Sequence, residues 1–179
     1  MKNAMRILSV ALLSVMMMAC GNGNKELTYN DLKKAEASLF NEDGSINESE
    51  APAVAETYCK FVEQHPDDSI APTWLYHAFE VNVMTKNAEK SIELCDKMLA
   101  MYPQSEWTPK ALYLLGSFVY EEQLKDLKKA RATYQRVISD YPESDLVPSV
   151  QASIKYLGKT PEEIMTLIQM SQMEEEAEE

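Results

Sequence analysis

Five glycines, three cysteines and two histidines in 179 residues leave this chain poorly equipped for most site chemistry. So few glycines make no phosphate-cradling loop and no nucleophile elbow, both of which need glycine where backbone must turn sharply or approach a ligand. His65 and His77 have no cysteine or carboxylate at metal-ligand spacing around them. Paired catalytic carboxylates are also missing, and Asp67-Asp68 reads as a solvated turn. Neither an enzyme, a cofactor nor a bound metal is expected. Basic residues are scarce, 17 against 29 acidic ones for a net charge of −12. That balance excludes nucleic acid, whose phosphates need Lys and Arg, and disfavours anionic lipid headgroups. The longest apolar run, Ile7 to Met18, is too short to span a bilayer.

That run has another use. Lys2 and Arg6 precede it and Met18-Ala19-Cys20-Gly21 follows, the layout of an export signal over residues 1–19. A small residue and then cysteine after such a core resembles the bacterial lipobox, in which the cysteine is lipidated and becomes the first residue of the mature chain. The alternative is an ordinary cleaved signal with an incidental cysteine. Two or more acyl chains give stable anchoring without a membrane span. Loss of Lys2 and Arg6 from the 17 basic residues leaves 15 against 29 acidic ones, or −14. A polar tether over 20–26 would join Cys20 to the folded part, placed at 27–172, with an acidic disordered tail over 173–179. Cys59 and Cys95 stand seven and eight residues before Pro66 and Pro103. They therefore lie on different helical faces, which disfavours a disulfide and leaves Cys95 as a small buried hydrophobe.

The folded part repeats itself. Prolines at 66, 103 and 142 are each followed six residues later by another, at 72, 109 and 148. The period of 37 to 39 residues, built from two helical segments, predicts stacked helical hairpins. Eight residues before each first proline stand Tyr58, Cys95 and Tyr134; five before, Phe61, Met98 and Val137; four before, Val62, Leu99 and Ile138. These positions share one face of a helix, the second (B) helix of each unit. Pro72, Pro109 and Pro148 fit the first position of the following A helix, where the missing N–H costs nothing. Leu75 aligns with Leu112 and Tyr76 with Tyr113. His65 takes the place of Tyr102 and Tyr141, an inter-repeat packing position. Thr28-x-x-Asp31 and Thr160-Pro161-Glu162-Glu163 read as helix starts. Leu32, Ala35, Leu39 and Phe40 follow the first at helical spacing. Asn41 to Glu50 reads as a loop, Gly158 as a C-cap, and Ile164, Leu167 and Ile168 as the apolar face of a terminal capping helix. The expected fold is all-α, an α-solenoid of stacked hairpins with that helix at its C-terminal end.

Leu112-Tyr113-Leu114-Leu115-Gly116, Ala130, Tyr134, Val137 and Pro142 resemble the tetratricopeptide repeat signature. Residues 66–103 follow the same pattern, with Phe79 in place of the glycine and Ser91 in place of the alanine. The Tyr-Pro-x-Ser closures are similar to those of bacterial envelope proteins, such as the outer-membrane assembly lipoprotein with stacked repeats and the Tol–Pal-associated periplasmic repeat protein. The resemblance implies a concave surface, lined by A helices, that binds a protein partner or peptide segment. Carried over, its positions are Thr73, Tyr76, Glu80, Lys110, Tyr113, Ser117 and Tyr120. Tyr76 and Tyr113 would present aromatic faces there, or else pack between helices, and Lys110 would select an acidic segment.

Two functions are compatible with this reading. One is a membrane-tethered periplasmic scaffold for protein–protein interaction in envelope assembly or maintenance. The other is an accessory or solute-presenting lipoprotein of an outer-membrane complex. An open groove favours the first and a deep enclosed apolar pocket the second. Gly21 lacks the aspartate used for inner-membrane retention, so the outer membrane, facing the periplasm, is the expected site. Replacing Cys20→Ser should release the protein from membranes or leave it as uncleaved precursor. Detergent partitioning and gel mobility unchanged from wild type would remove the anchor.

Overall fold

The computed structural model describes residues 25–178, with side chains through Met173. The expected export signal, Cys20 and most of the expected tether lie outside the described residues. Eight helices follow one another: α1 (Tyr29–Ser38), α2 (Ala51–Gln64), α3 (Ala71–Met84), α4 (Ala88–Met101), α5 (Trp107–Leu114), α6 (Leu127–Asp140), α7 (Val147–Tyr156) and α8 (Pro161–Glu178). A π-helical stretch, Leu115–Gln123, continues α5 without a break. From α1 to α7 each helix packs on a neighbour in the stack, so the chain is an α-solenoid: α1 on α2, α2 on α3, α3 on α4 and α5, α6 on the π stretch and α7. The single β-bridge, Phe40 to Ile46, closes the loop between α1 and α2.

The apolar stripes of the B helices fill the core. Tyr58, Phe61, Val62, Cys95, Met98, Tyr134 and Val137 are all buried, and Leu99 and Ile138 are half-buried at the edge of the stripe. Burial pushes the Cys95 thiol up to about 12, and Cys95 and Cys59 are both free. Leu32 and Leu39 join the core, but Phe40 is exposed because α1 ends at Ser38 and the chain turns away. The prolines enter their helices later than expected. Pro72 and Pro148 are the second residues of α3 and α7, and Pro109 is the third of α5. All three positions still fall among the four N–H groups that have no intrahelical acceptor.

Helix starts follow side-chain chemistry. Asp31 Oδ2 accepts from the Thr28 N–H at 3.0 Å and from its hydroxyl at 2.7 Å. Lys25, then Thr28, hold that carboxyl well below the usual range. At α8 the Thr160 N–H donates to Glu163 at 2.7 Å and Thr160 Oγ1 accepts from the Glu163 N–H at 3.2 Å. The B helices open on Asn87 and Asp126, whose side chains accept from Lys90 and Lys129 N–H groups. Each cap follows a lysine in left-handed backbone, Lys86 at φ 58° and Lys125 at φ 54°. Units are joined by reaching back: His65 Nε2 lies 3.1 Å from the Leu27 carbonyl, and the Tyr102 hydroxyl donates to the Pro66 carbonyl at 2.9 Å.

The C-terminal end departs from expectation. Helix α8 runs on to Glu178, where a disordered tail was expected from 173. Alanine and glutamate are good helix formers, and the chain holds no glycine or proline after Pro161 to stop it. As a cap it is light: Ile164 and Leu167 are half-buried, whereas Met165, Ile168, Met170 and Met173 are exposed. Gly158, at φ 75°, does turn the chain after α7.

Within the α5–α6 hairpin, helix–helix distance is set by one contact. A Cβ added to Gly116 would lie 2.6 Å from Cε1 of Tyr134, a ring that is fully buried and cannot yield. Tyr134→Ala should destabilise the fold by about 3 kcal/mol, as for other buried aromatics. Gly116→Ala should cost about 1–3 kcal/mol through overpacking, and close to nothing further once Tyr134 is alanine. Chemical denaturation of the double-mutant cycle checks this; additive losses would show that the two residues do not share a contact.

Candidate functional site

The A helices α1, α3 and α5 with its π extension lie side by side, and their outer faces form one surface. On α3 the stripe facing outward is Thr73, His77, Glu80 and Met84, at intervals of four, three and four residues. All but Met84 are half-buried, and Met84 is 45% exposed. On the next A helix the outward stripe is Lys110, Leu114, Phe118 and Glu122, at intervals of four throughout. The difference follows from the π stretch. Its hydrogen bonds reach five residues back, as from the Leu124 N–H to the Val119 carbonyl at 2.9 Å. The wider turn needs more residues to return to the same face.

That shift relocates the positions expected from α-helical spacing. Tyr120 is carried round toward the B layer: Lys129 Nζ lies 5.5 Å from its ring centroid, and its phenol is pushed up by burial and then by Asp96. Ser117 turns its hydroxyl onto the Tyr113 carbonyl at 2.9 Å. Tyr113 is half-buried, its hydroxyl 3.5 Å from Ser153 on α7 and its ring 6.1 Å from Tyr134. Tyr76 is only 6% exposed, stacked on Trp107 at 4.8 Å and 27°. The two equivalent tyrosines therefore pack between successive A helices, Tyr76 almost wholly covered and Tyr113 half-buried. Lys110 makes contacts of its own inside the chain. Its ammonium sits 4.1 Å above Trp107 and 3.0 Å from Glu106, so its charge is engaged within the chain. Thr73 borders a separate cleft with Pro72, Tyr102 and Trp107, at the turn end of the units. Of the expected positions only Glu80 lies at the centre of the outer face, where it takes His77 Nδ1 at 2.9 Å.

The apolar part of the face lies at the C-terminal ends of the A helices. Between α1 and α3 a cleft of about 200 Å³ is walled by Leu39, Phe40, Tyr58, His77 and Met84. Between α3 and the π stretch a larger one, about 320 Å³, is walled by Val83, Met84, Leu114, Phe118 and Gln123. Glu80 and Met84 of α3 border both, so the two clefts adjoin across that helix as one ridged trough. Phe40 is 49% exposed and Phe118 43%, whereas Phe61 and Phe79 are buried. Sequence spacing signals Met84, four residues beyond Glu80 on the same stripe. Nothing in it signals Phe118, because the π turn that exposes it leaves no residue pattern.

Among the described residues no group of three or more His, Cys, Asp or Glu side chains is placed to hold a metal ion. Nor is any described helix long and apolar enough to cross a membrane. Residues 110–144 match the family model of the tetratricopeptide repeat, the hairpin that contains Gly116 and Tyr134. No curated protein and no solved structure matches the chain. Tetratricopeptide repeats generally mediate protein–protein interaction and generally form non-catalytic scaffolds.

Packing and exposure assign different outcomes to the two groups of residues. Tyr76→Ala should cost about 3 kcal/mol of stability, whereas Phe118→Ser and Met84→Ser, at the surface, should each stay within about 0.5 kcal/mol. Thermal and urea melts separate them; equal losses would place Phe118 in the core.

Proposed function

We propose that the protein is a membrane-tethered scaffold of the bacterial periplasm, lipidated at Cys20 and holding a protein partner against the trough of its A helices. The observation that carries this reading is the exposed line of Phe40, Met84 and Phe118 across three successive units. Large apolar residues raised from a charged surface lose water when a partner covers them, and aromatic and methionine side chains are enriched in such patches. Phe40, Met84 and Phe118 stand exposed on this face, which favours a segment of protein over an enclosed solute and ranks the solute-presenting alternative second. Placement in the outer membrane rests on the sequence alone, on Ala19-Cys20-Gly21.

A photo-crosslinking side chain placed at Phe118 or Met84 in the full chain should form adducts in membranes. The same group at Arg131 or Gln135, exposed on α6 in the B layer, should not. Adducts of equal yield from both faces would remove the trough as the interaction site.

A further inference from the structure

The walls of the trough hold chemistry that narrows what can lie in it. One carboxylate stands on each A helix along its length: Glu36 on α1, Glu80 on α3 and Glu122 on the π stretch. Against these three the only lysine lining either cleft is Lys86. Glu36 is held by Lys33 at 2.7 Å and Glu80 by His77 at 2.9 Å, while Glu122 has no ion-pair partner among the described residues. A second observation concerns Gln123 in the wall of the larger cleft. Its side-chain NH₂ donates to the Val83 carbonyl at 3.4 Å, and its Oε1 is buried with no hydrogen-bond partner. A buried acceptor left without a donor is costly in an isolated fold and is satisfied when an occupant brings an N–H.

We infer that the occupant of the trough is a cationic amphipathic segment of another protein, whose apolar side chains lie between Phe40, Met84 and Phe118 while its Lys or Arg side chains reach Glu80 and Glu122. This rests on the trough being the interaction site. Charge on the flanks sets the sign of the partner, because like charges facing each other across an interface cost more than opposite charges gain. A donor from the same segment, backbone or guanidinium, completes Gln123 Oε1. The chain's own net charge of −12 adds a long-range attraction of the same sign, so a test must separate the local carboxylates from the general field.

The test uses the purified full chain and two synthetic amphipathic peptides, one of Leu and Lys and its twin with Glu in place of each Lys, followed by fluorescence anisotropy. The Leu/Lys peptide should bind at least about tenfold more tightly than its twin. Glu80→Gln with Glu122→Gln should erase most of that preference. Neutralising Glu89, Asp96 and Glu143, which lie outside the trough, should leave it in place. Met84→Ser with Phe118→Ser should weaken both peptides, and if that pair melts early the charge variants decide alone. An undiminished preference in the Glu80/Glu122 variant, an equal loss in the outside variant, or equal binding of the twins overturns the inference. Competition with the Phe118 photo-adduct keeps the two readings apart. Adducts that form and resist the Leu/Lys peptide would overturn the cationic occupant alone, whereas no adduct at all would overturn the interaction site and the inference with it.

Discussion

The approach of the Tyr134 ring to the bare Cα of Gly116 is the contact on which the α5–α6 hairpin depends. Two helices can come this close only where one of them has no side chain, and the ring then fills the space between the axes. The Tyr134 hydroxyl is not wasted in the process, since it donates to Glu121 at 2.9 Å, on the same π stretch as the glycine. Burial and that carboxylate together hold the phenol far above its ordinary pKa, so it remains a donor at any physiological pH. In the α3–α4 hairpin the sizes at the matching positions are exchanged. There Phe79 stands on the A helix where Gly116 stands in the α5–α6 hairpin, and Cys95 on the B helix where Tyr134 stands, both fully buried. Volume is conserved across the pair of positions although neither residue is.

Between hairpins the fastening is of another kind. Tyr76 stacks on Trp107 and the Lys110 ammonium sits over the same indole, so aromatic area from two A helices meets a cation there. On the B side Tyr102 and His65 reach back by single hydrogen bonds to backbone carbonyls of the preceding connection. Because each joint involves only neighbours, stability accumulates unit by unit along the stack. The light packing of α8 then means that the last joint is the weakest among those described.

Much of this was legible from residues alone, and the reason differs by element. The B stripes were readable because burial selects apolar side chains at fixed helical intervals, and Tyr58, Cys95 and Tyr134 all lie where that rule puts them. Both capping boxes were readable because Thr and Asp or Glu three apart can do little else at a helix start. The outer face was not. Tyr76 looks exposed until Trp107, which precedes Pro109 in the next unit, is folded over it. Tyr113, Ser117 and Tyr120 fall on one face of an ideal α-helix, and the π turn alone removes Tyr120 from it. Helical propensity in the glutamate-rich end outweighed the reading of its charge as disorder.

The π stretch also explains why the two units differ in length. The first spans 37 residues between prolines and the second 39, yet the B arms match, with Asn87 and Asp126 each standing sixteen residues before the closing proline. The surplus lies in the A arm, where the helix has widened around it. Added residues in most proteins are extruded as a loop. Here the two extra residues are accommodated inside a helix, with both ends of the hairpin in register and Phe118 turned outward. A change in gene length of that sort alters what a repeat displays without disturbing how it stacks.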